Sequence, residues 1–182
     1  MLKFRNKRER TGTMFAVEDY IIYGNHGVCK VEKIGTVSLP MADKDKIYYT
    51  LRPVYKNDAV VYAPVENPKS VMRSVLSKEE AEQLILEIPQ LESVWIANEK
   101  EREVLYKEAL KSCDCRKLIR IIKTLYDRKM DRIRDGKKVT VVDERYFRQA
   151  EEQLYGELAF AMEMERSQMG DYLVERISKL SE

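Results

Sequence analysis

Up to about residue 76 the hydrophobic positions of this chain fall in short runs with a period near two. From Ser77 onward they recur every three or four residues. The first pattern is that of half-buried strands and the second that of amphipathic helices. Asp19-Tyr20-Ile21-Ile22-Tyr23 is rich in aromatic and β-branched residues, and Gly24-Asn25-His26-Gly27 breaks it. Val28 to Val37 alternates loosely, Ile47 to Val54 predicts a third strand, Lys56-Asn57-Asp58 a turn, and Ala59 to Ala63 a fourth strand. Short strands with no helix between them predict a small antiparallel sheet or SH3-like barrel. Pro53 and Pro64 each lack a backbone donor, which places them at a strand end or on an edge. A module of this size has little interior for a cofactor; what it offers is an unpaired strand edge and aromatic surface.

The second half predicts a helical bundle. Ser77-Lys78-Glu79-Glu80 has the form of a capping box and opens a helix through Leu84, Ile85 and Ile88, which Pro89 ends or interrupts. A second helix is predicted from about Leu91 to Lys111. A third follows Ser112 or Asp114, with Leu118, Ile121, Ile122, Leu125, Tyr126, Met130 and Ile133 as its core stripe, and stops at Gly136. Thr140 is the next cap, leading into Tyr146, Ala150, Leu154, Leu158 and Ala161, with Gly156 marking a close approach of another element. A last amphipathic segment starts at about Gln168. The fold class is therefore α+β: a small antiparallel β-barrel over 14–72, then an all-α bundle over 73–182, preceded by an extension or tag-like basic segment at 1–13.

Charge sharpens this picture. The net charge is only +2, but residues 100–148 hold sixteen Lys/Arg against nine Asp/Glu, while both 77–99 and 149–182 are net acidic. A positive block on folded helices is the footprint of an anionic partner, or else a solvated face laced with ion pairs. No apolar run approaches the ~20 residues that span a bilayer, which predicts a cytoplasmic protein without membrane contact. Cys29, Cys113 and Cys115 are odd in number and badly spaced for zinc, so they read as free thiols and no metal site is predicted. His26 sits in a turn with no partner at useful spacing and reads as a turn residue.

Trp95, the only tryptophan, stands among charges just past the change of pattern. If the predicted second helix is correct, Trp95 heads a polar face with Asn98, Glu99, Arg102 and Tyr106. Two readings stay open: a plug in the seam between the domains, or an exposed wedge beside cations. The second has a chemistry. An apolar side chain pushed between base pairs unstacks them at a cost of roughly a few kcal/mol, offset by phosphate contacts nearby. Lys100, Arg102 and Lys107 are close in sequence, and Lys137, Lys138, Arg145 and Arg148 form a second basic group at a helix start.

Taken together, these residues resemble the CarD family of bacterial transcription regulators, in particular its short CdnL-like members. The resemblance runs from about Met14 to Met164. It is carried by Tyr20-Ile21-Ile22-Tyr23-Gly24-Asn25-His26-Gly27-Val28, by Tyr49-Thr50-Leu51-Arg52-Pro53, by Val61-Tyr62-Ala63-Pro64-Val65-Glu66-Asn67, by Trp95, and by Leu154-Tyr155-Gly156-Glu157-Leu158-Ala159. It implies a Tudor-like barrel that binds the β subunit of RNA polymerase, partly by strand pairing, through Thr36, Val37, Arg52, Val60, Val61 and Tyr62. It implies further that the helical domain meets promoter DNA upstream of the −10 element, with Trp95 in the minor groove, prolonging the open complex. Some relatives carry arginine where Val37 and Tyr62 stand here, which shifts the polymerase contact towards backbone and aromatic packing.

The reading is thus a non-enzymatic regulator with no cofactor and no small-molecule substrate, whose own DNA binding is weak, salt-sensitive and largely independent of sequence. The alternative is an adaptor for a non-polymerase protein, with Trp95 as its hot spot and no direct role at DNA. An enzyme has no support in the sequence, which shows no phosphate-binding glycine loop and no nucleophile–base pair at motif spacing.

Overall fold

The computed structural model describes residues 14–38, 40, 43–56, 58–66, 68 and 70–180. The basic segment 1–13 and the turn residue Asn57 lie outside them. Strands β1 (Tyr20–Tyr23), β2 (Val28–Gly35), β3 (Tyr48–Pro53), β4 (Val61–Pro64) and β5 (Met72–Ser74) form one sheet in the order β4-β3-β2-β1-β5. Every neighbouring pair is antiparallel. Alternate residues point inward, so that Ile21, Tyr23, Cys29, Val31, Tyr49, Leu51 and Ala63 pack with Phe15 into the core of this domain. Between Val31 and Lys33 the register of β2 shifts by one, a bulge that bends the sheet around that core. Pro53 and Pro64 end their strands, and Pro64 does so on an edge strand.

A five-stranded antiparallel sheet followed by helices is the architecture expected, with β4 and β5 at the ends of the strand order. Strand β5 runs to Ser74; its three residues are too few to show a period of two in the sequence.

Five helices follow: α1 (Lys78–Glu87), α2 (Glu99–Ser112), α3 (Cys115–Arg134), α4 (Val141–Ala161) and α5 (Met169–Leu180). The capping box forms at α1: Ser77 Oγ accepts from the Glu80 amide at 3.2 Å, and Glu80 Oε2 accepts from the Ser77 amide at 2.8 Å. Asp114 and Thr140 cap α3 and α4 through their side chains. Leu84 and Ile85, Tyr106 and Leu110, Leu118, Ile121 and Leu125, Leu154 and Leu158, and Leu173 bring all five helices into one core.

The second helix is shorter than predicted. A 3₁₀ turn, Ile88–Gln90, surrounds Pro89, and the chain then runs without helix until Asn98 caps α2, its Oδ1 accepting from the amides of Lys100 and Glu101. The stripe of α3 also outlasts the core: Leu118, Ile121 and Leu125 are buried, whereas Tyr126, Met130 and Ile133 are exposed.

The sheet and the helices meet in a dense junction. Ile22 and Val28 pack on Cys113, with Tyr20, Tyr55, Val75 and Phe160 around them. Gly156 is the close approach anticipated for α4, and its partner is Tyr55, whose hydroxyl donates to the Gly156 carbonyl at 3.0 Å. A Cβ at 156 would stand 3.2 Å from the Tyr55 ring. Beside it, Arg73 of β5 reaches Glu157 of α4, with Nη1–Oε1 at 2.5 Å and Nη2–Oε2 at 2.6 Å. Arg73 also donates twice to the Cys113 carbonyl, at 2.9 and 2.6 Å. Glu157 is only 3% exposed and accepts in addition from the Leu76 amide and the Cys115 thiol. A buried carboxylate is tolerated because every lone-pair direction finds a donor.

Candidate functional site

Residues 91–98 form a non-helical segment between the 3₁₀ turn and α2, with Leu91 and Asn98 at its ends in extended backbone, and Trp95 lies in it. In extended chain successive side chains face opposite ways. Val94 and Ile96 are half-buried, and Trp95 between them is 73% exposed. The helical face argued from the spacing to Asn98, Glu99, Arg102 and Tyr106 therefore does not exist. Tyr106 is a core residue at 1% exposure, and the indole stands out because of strand-like alternation. The seam-plug reading is excluded by the same exposure, and the residues that fill the junction are Tyr20, Tyr55 and Phe160.

The segment is pinned on both sides of the indole. On the upstream side, the Val94 amide donates to Thr124 Oγ1 at 2.8 Å, and that hydroxyl donates in turn to the Arg120 carbonyl. Lys123 Nζ donates to the carbonyls of Ile88 and Leu91, and burial lowers its pKa. Downstream, Arg102 Nη1 donates to the carbonyls of Ile96 at 2.9 Å and Ala97 at 2.6 Å.

The other cations fall into two kinds. Lys107 pairs with Glu103 at 3.0 Å, and Arg145 approaches the same carboxylate at 3.7 Å while lying over the Tyr146 ring. The Tyr146 hydroxyl donates to Glu103 as well, joining the start of α4 to α2. With Lys107 as the main cause, this carboxyl is held below its ordinary range. Lys137 pairs with Asp135. Lys100, Lys138 and Arg148 are exposed and have no acidic partner among the described residues. Part of the basic block is thus a laced surface and part is open to an anion.

On the sheet, the polymerase-related positions spread from the end strand to the middle: Val60, Val61 and Tyr62 lie at β4, Arg52 on β3, and Thr36 and Val37 just after the central strand β2. Strand β4 has a neighbour on one side only. Val60 and Tyr62 are exposed beside that edge, whereas Val61 turns its side chain towards the core and leaves only its backbone there. Thr36 and Val37 follow directly on β2. Arg52 is engaged in a two-pronged pair with Glu32 across β2 and β3. At the opposite end of the order, β5 is tied to the helices by the Arg73 side chain.

His26 stacks on Tyr23 in its turn, and burial lowers its pKa, as suits a structural residue. All three cysteines are free and buried. Sequence reading missed the Arg73–Glu157 pair and the braces from Thr124 and Lys123. A glutamate inside the apolar run Leu154 to Ala159 was the visible sign of the first; hydrogen bonds from α3 to a distant backbone leave no sign at all.

An open sheet edge carrying exposed aromatic and apolar residues, fixed to a helical domain, defines a protein-docking module. Residues 15–76 match the family described as CarD-like/TRCF RID domain, and this part of the chain is a domain of that family. The chain therefore carries an RNA polymerase-interacting domain and has a role connected with transcription. The match covers the sheet and stops at the entrance to α1. No helix among the described residues is long and apolar enough to cross a membrane.

Proposed function

We propose that the chain is a non-enzymatic transcription regulator that docks on the β subunit of RNA polymerase through strand β4 and stabilises the open promoter complex through Trp95. The observation that carries this reading is the exposed indole on a braced, non-helical segment. A large apolar side chain held out in water has no folding rationale, and its flanks are fixed as a wedge requires. Lys100, Lys138 and Arg148, exposed and without an acidic partner among the described residues, are the cations this reading assigns to phosphate, with Lys107, Lys137 and Arg145 exchanging a carboxylate for one. With only Lys100, Lys138 and Arg148 unpaired among the candidate cations, DNA binding by the chain alone is weak and salt-sensitive, with a shallow salt slope. Val60 and Tyr62 flank the backbone that pairs with the polymerase, as in strand addition generally.

Trp95→Ala is the direct test. The variant is expected to fold and bind polymerase as before, while the lifetime of the open complex drops to that seen without the protein. Undiminished stabilisation by the variant would rule out the wedge. Loss of polymerase from pull-downs, with another protein recovered through Trp95, would favour the adaptor reading.

A further inference from the structure

We infer that Arg102, with Thr124, is a positioning residue for the Trp95 segment and not a ligand of DNA phosphate. This rests on the reading of Trp95 as the contacting group and specifies what holds it in place. Arg102 is half-buried, and one guanidinium nitrogen already serves two carbonyls, those of Ile96 and Ala97. Those carbonyls belong to the residues immediately after the indole, ahead of the Asn98 cap, where the backbone has no helical partner. Thr124 is 3% exposed and serves the residue immediately before the indole, accepting a hydrogen bond from the Val94 amide while its hydroxyl donates one to the Arg120 carbonyl. The polar backbone on either side of Trp95 is thus tied to two different helices, α2 and α3. The exposed ring is left with the freedom of its own side-chain torsions and little else. Immobilising such a loop before binding removes ordering cost at the moment of contact. A lysine nitrogen at 102 can still donate to two carbonyls, as Lys123 Nζ does to those of Ile88 and Leu91, but from a freely rotating ammonium in place of a planar guanidinium.

The test uses the sole tryptophan as its own reporter. Time-resolved fluorescence anisotropy of Trp95 is measured in the full chain, alongside open-complex lifetime and the salt dependence of binding to polymerase–promoter complexes. Arg102→Ala is expected to raise the amplitude of fast indole motion and shorten the open-complex lifetime several-fold, with the salt slope unchanged. Arg102→Lys is expected to restore part of both. Thr124→Val is expected to mobilise the indole in the same way, and Thr124→Ser, which keeps the hydroxyl, to leave it still. These second-site variants decide the question if Arg102→Ala fails to fold. A phosphate ligand behaves differently: its loss lowers the salt slope by about 1 and leaves indole motion alone. That result, or unchanged indole motion in both Arg102→Ala and Thr124→Val, overturns the inference. Should Trp95→Ala retain full activity, the wedge reading fails, while indole motion still decides the brace.

Discussion

Among single residues, the three cysteines report most directly on the fold. Burial pushes the Cys29 thiol up to about 12 and raises Cys113 and Cys115 as well, Glu157 adding to the effect at Cys115. In the unfolded chain such thiols ionise near their ordinary value of about 8.5. Since the folded values lie above the unfolded ones, the stability linked to the neutral thiols is complete below that pH. It is lost as pH rises from there through the folded values, because the unfolded chain releases protons that the fold retains. Thiolate absorbance is therefore expected to stay absent from the folded protein through about pH 9 and to appear together with loss of structure at higher pH. A thiolate signal of ordinary pKa in protein that keeps its native circular dichroism would contradict the burial described. Trp95 is the opposite case, a residue whose exposure is informative because most residues of its size are covered.

At the level of elements, α3 divides into a half that holds the bundle and a half that does not. Ile121 is 1% exposed and Ile133 is 52% exposed on the same helix. Ile121→Ala is expected to cost about 2–5 kcal/mol, and Ile133→Gln no more than about 0.5 kcal/mol, both read from urea denaturation midpoints. Equal losses at the two sites would mean that the outer half of α3 is covered in solution.

The same helix shows what sequence can and cannot reveal. Its start at Asp114, its stop at Gly136 and its period were legible because they are local. Where the stripe leaves the core depends on how far its neighbours reach, which no local pattern encodes. Strands β1 to β4 and the caps at Ser77 and Thr140 were legible for the same local reasons. Strand β5, three residues long, was not. The start of α2 was misplaced because Leu91 and Val94 have helical spacing although the chain is not helical there, and burial alternates only over Val94, Trp95 and Ile96. For Trp95 the sequence left a seam plug and an exposed wedge both open; the indole is exposed, and the helical face used to argue for the wedge is absent. Of the candidate cations, Lys107 and Lys137 have partners close in sequence, Glu103 and Asp135, whereas the approach of Arg145 to Glu103 joins two helices and left no local sign.

On the scale of the whole molecule, the junction decides how the two domains behave. Glu157→Ala leaves the Arg73 guanidinium partly buried without its carboxylate and strands the Leu76 amide and the Cys115 thiol. Breaking a buried pair in this way costs on the order of 3–5 kcal/mol, and partial exposure of Arg73 places the expected loss at the lower end. Calorimetry is expected to show the single unfolding transition of the parent split into two, one per domain. A single transition at the parent temperature would show that the domains are coupled by Tyr20, Tyr55 and Phe160 without the ion pair.

Clamped as it is by Arg73, Tyr55 and Gly156, the molecule acts as a gauge block: strand β4 and the indole stand at one set span. If both ends engage as proposed, the span fits only while the upstream boundary of melted DNA stays at one place on the enzyme. Once the polymerase advances and that boundary shifts, the two footholds no longer match, and departure needs no separate release signal.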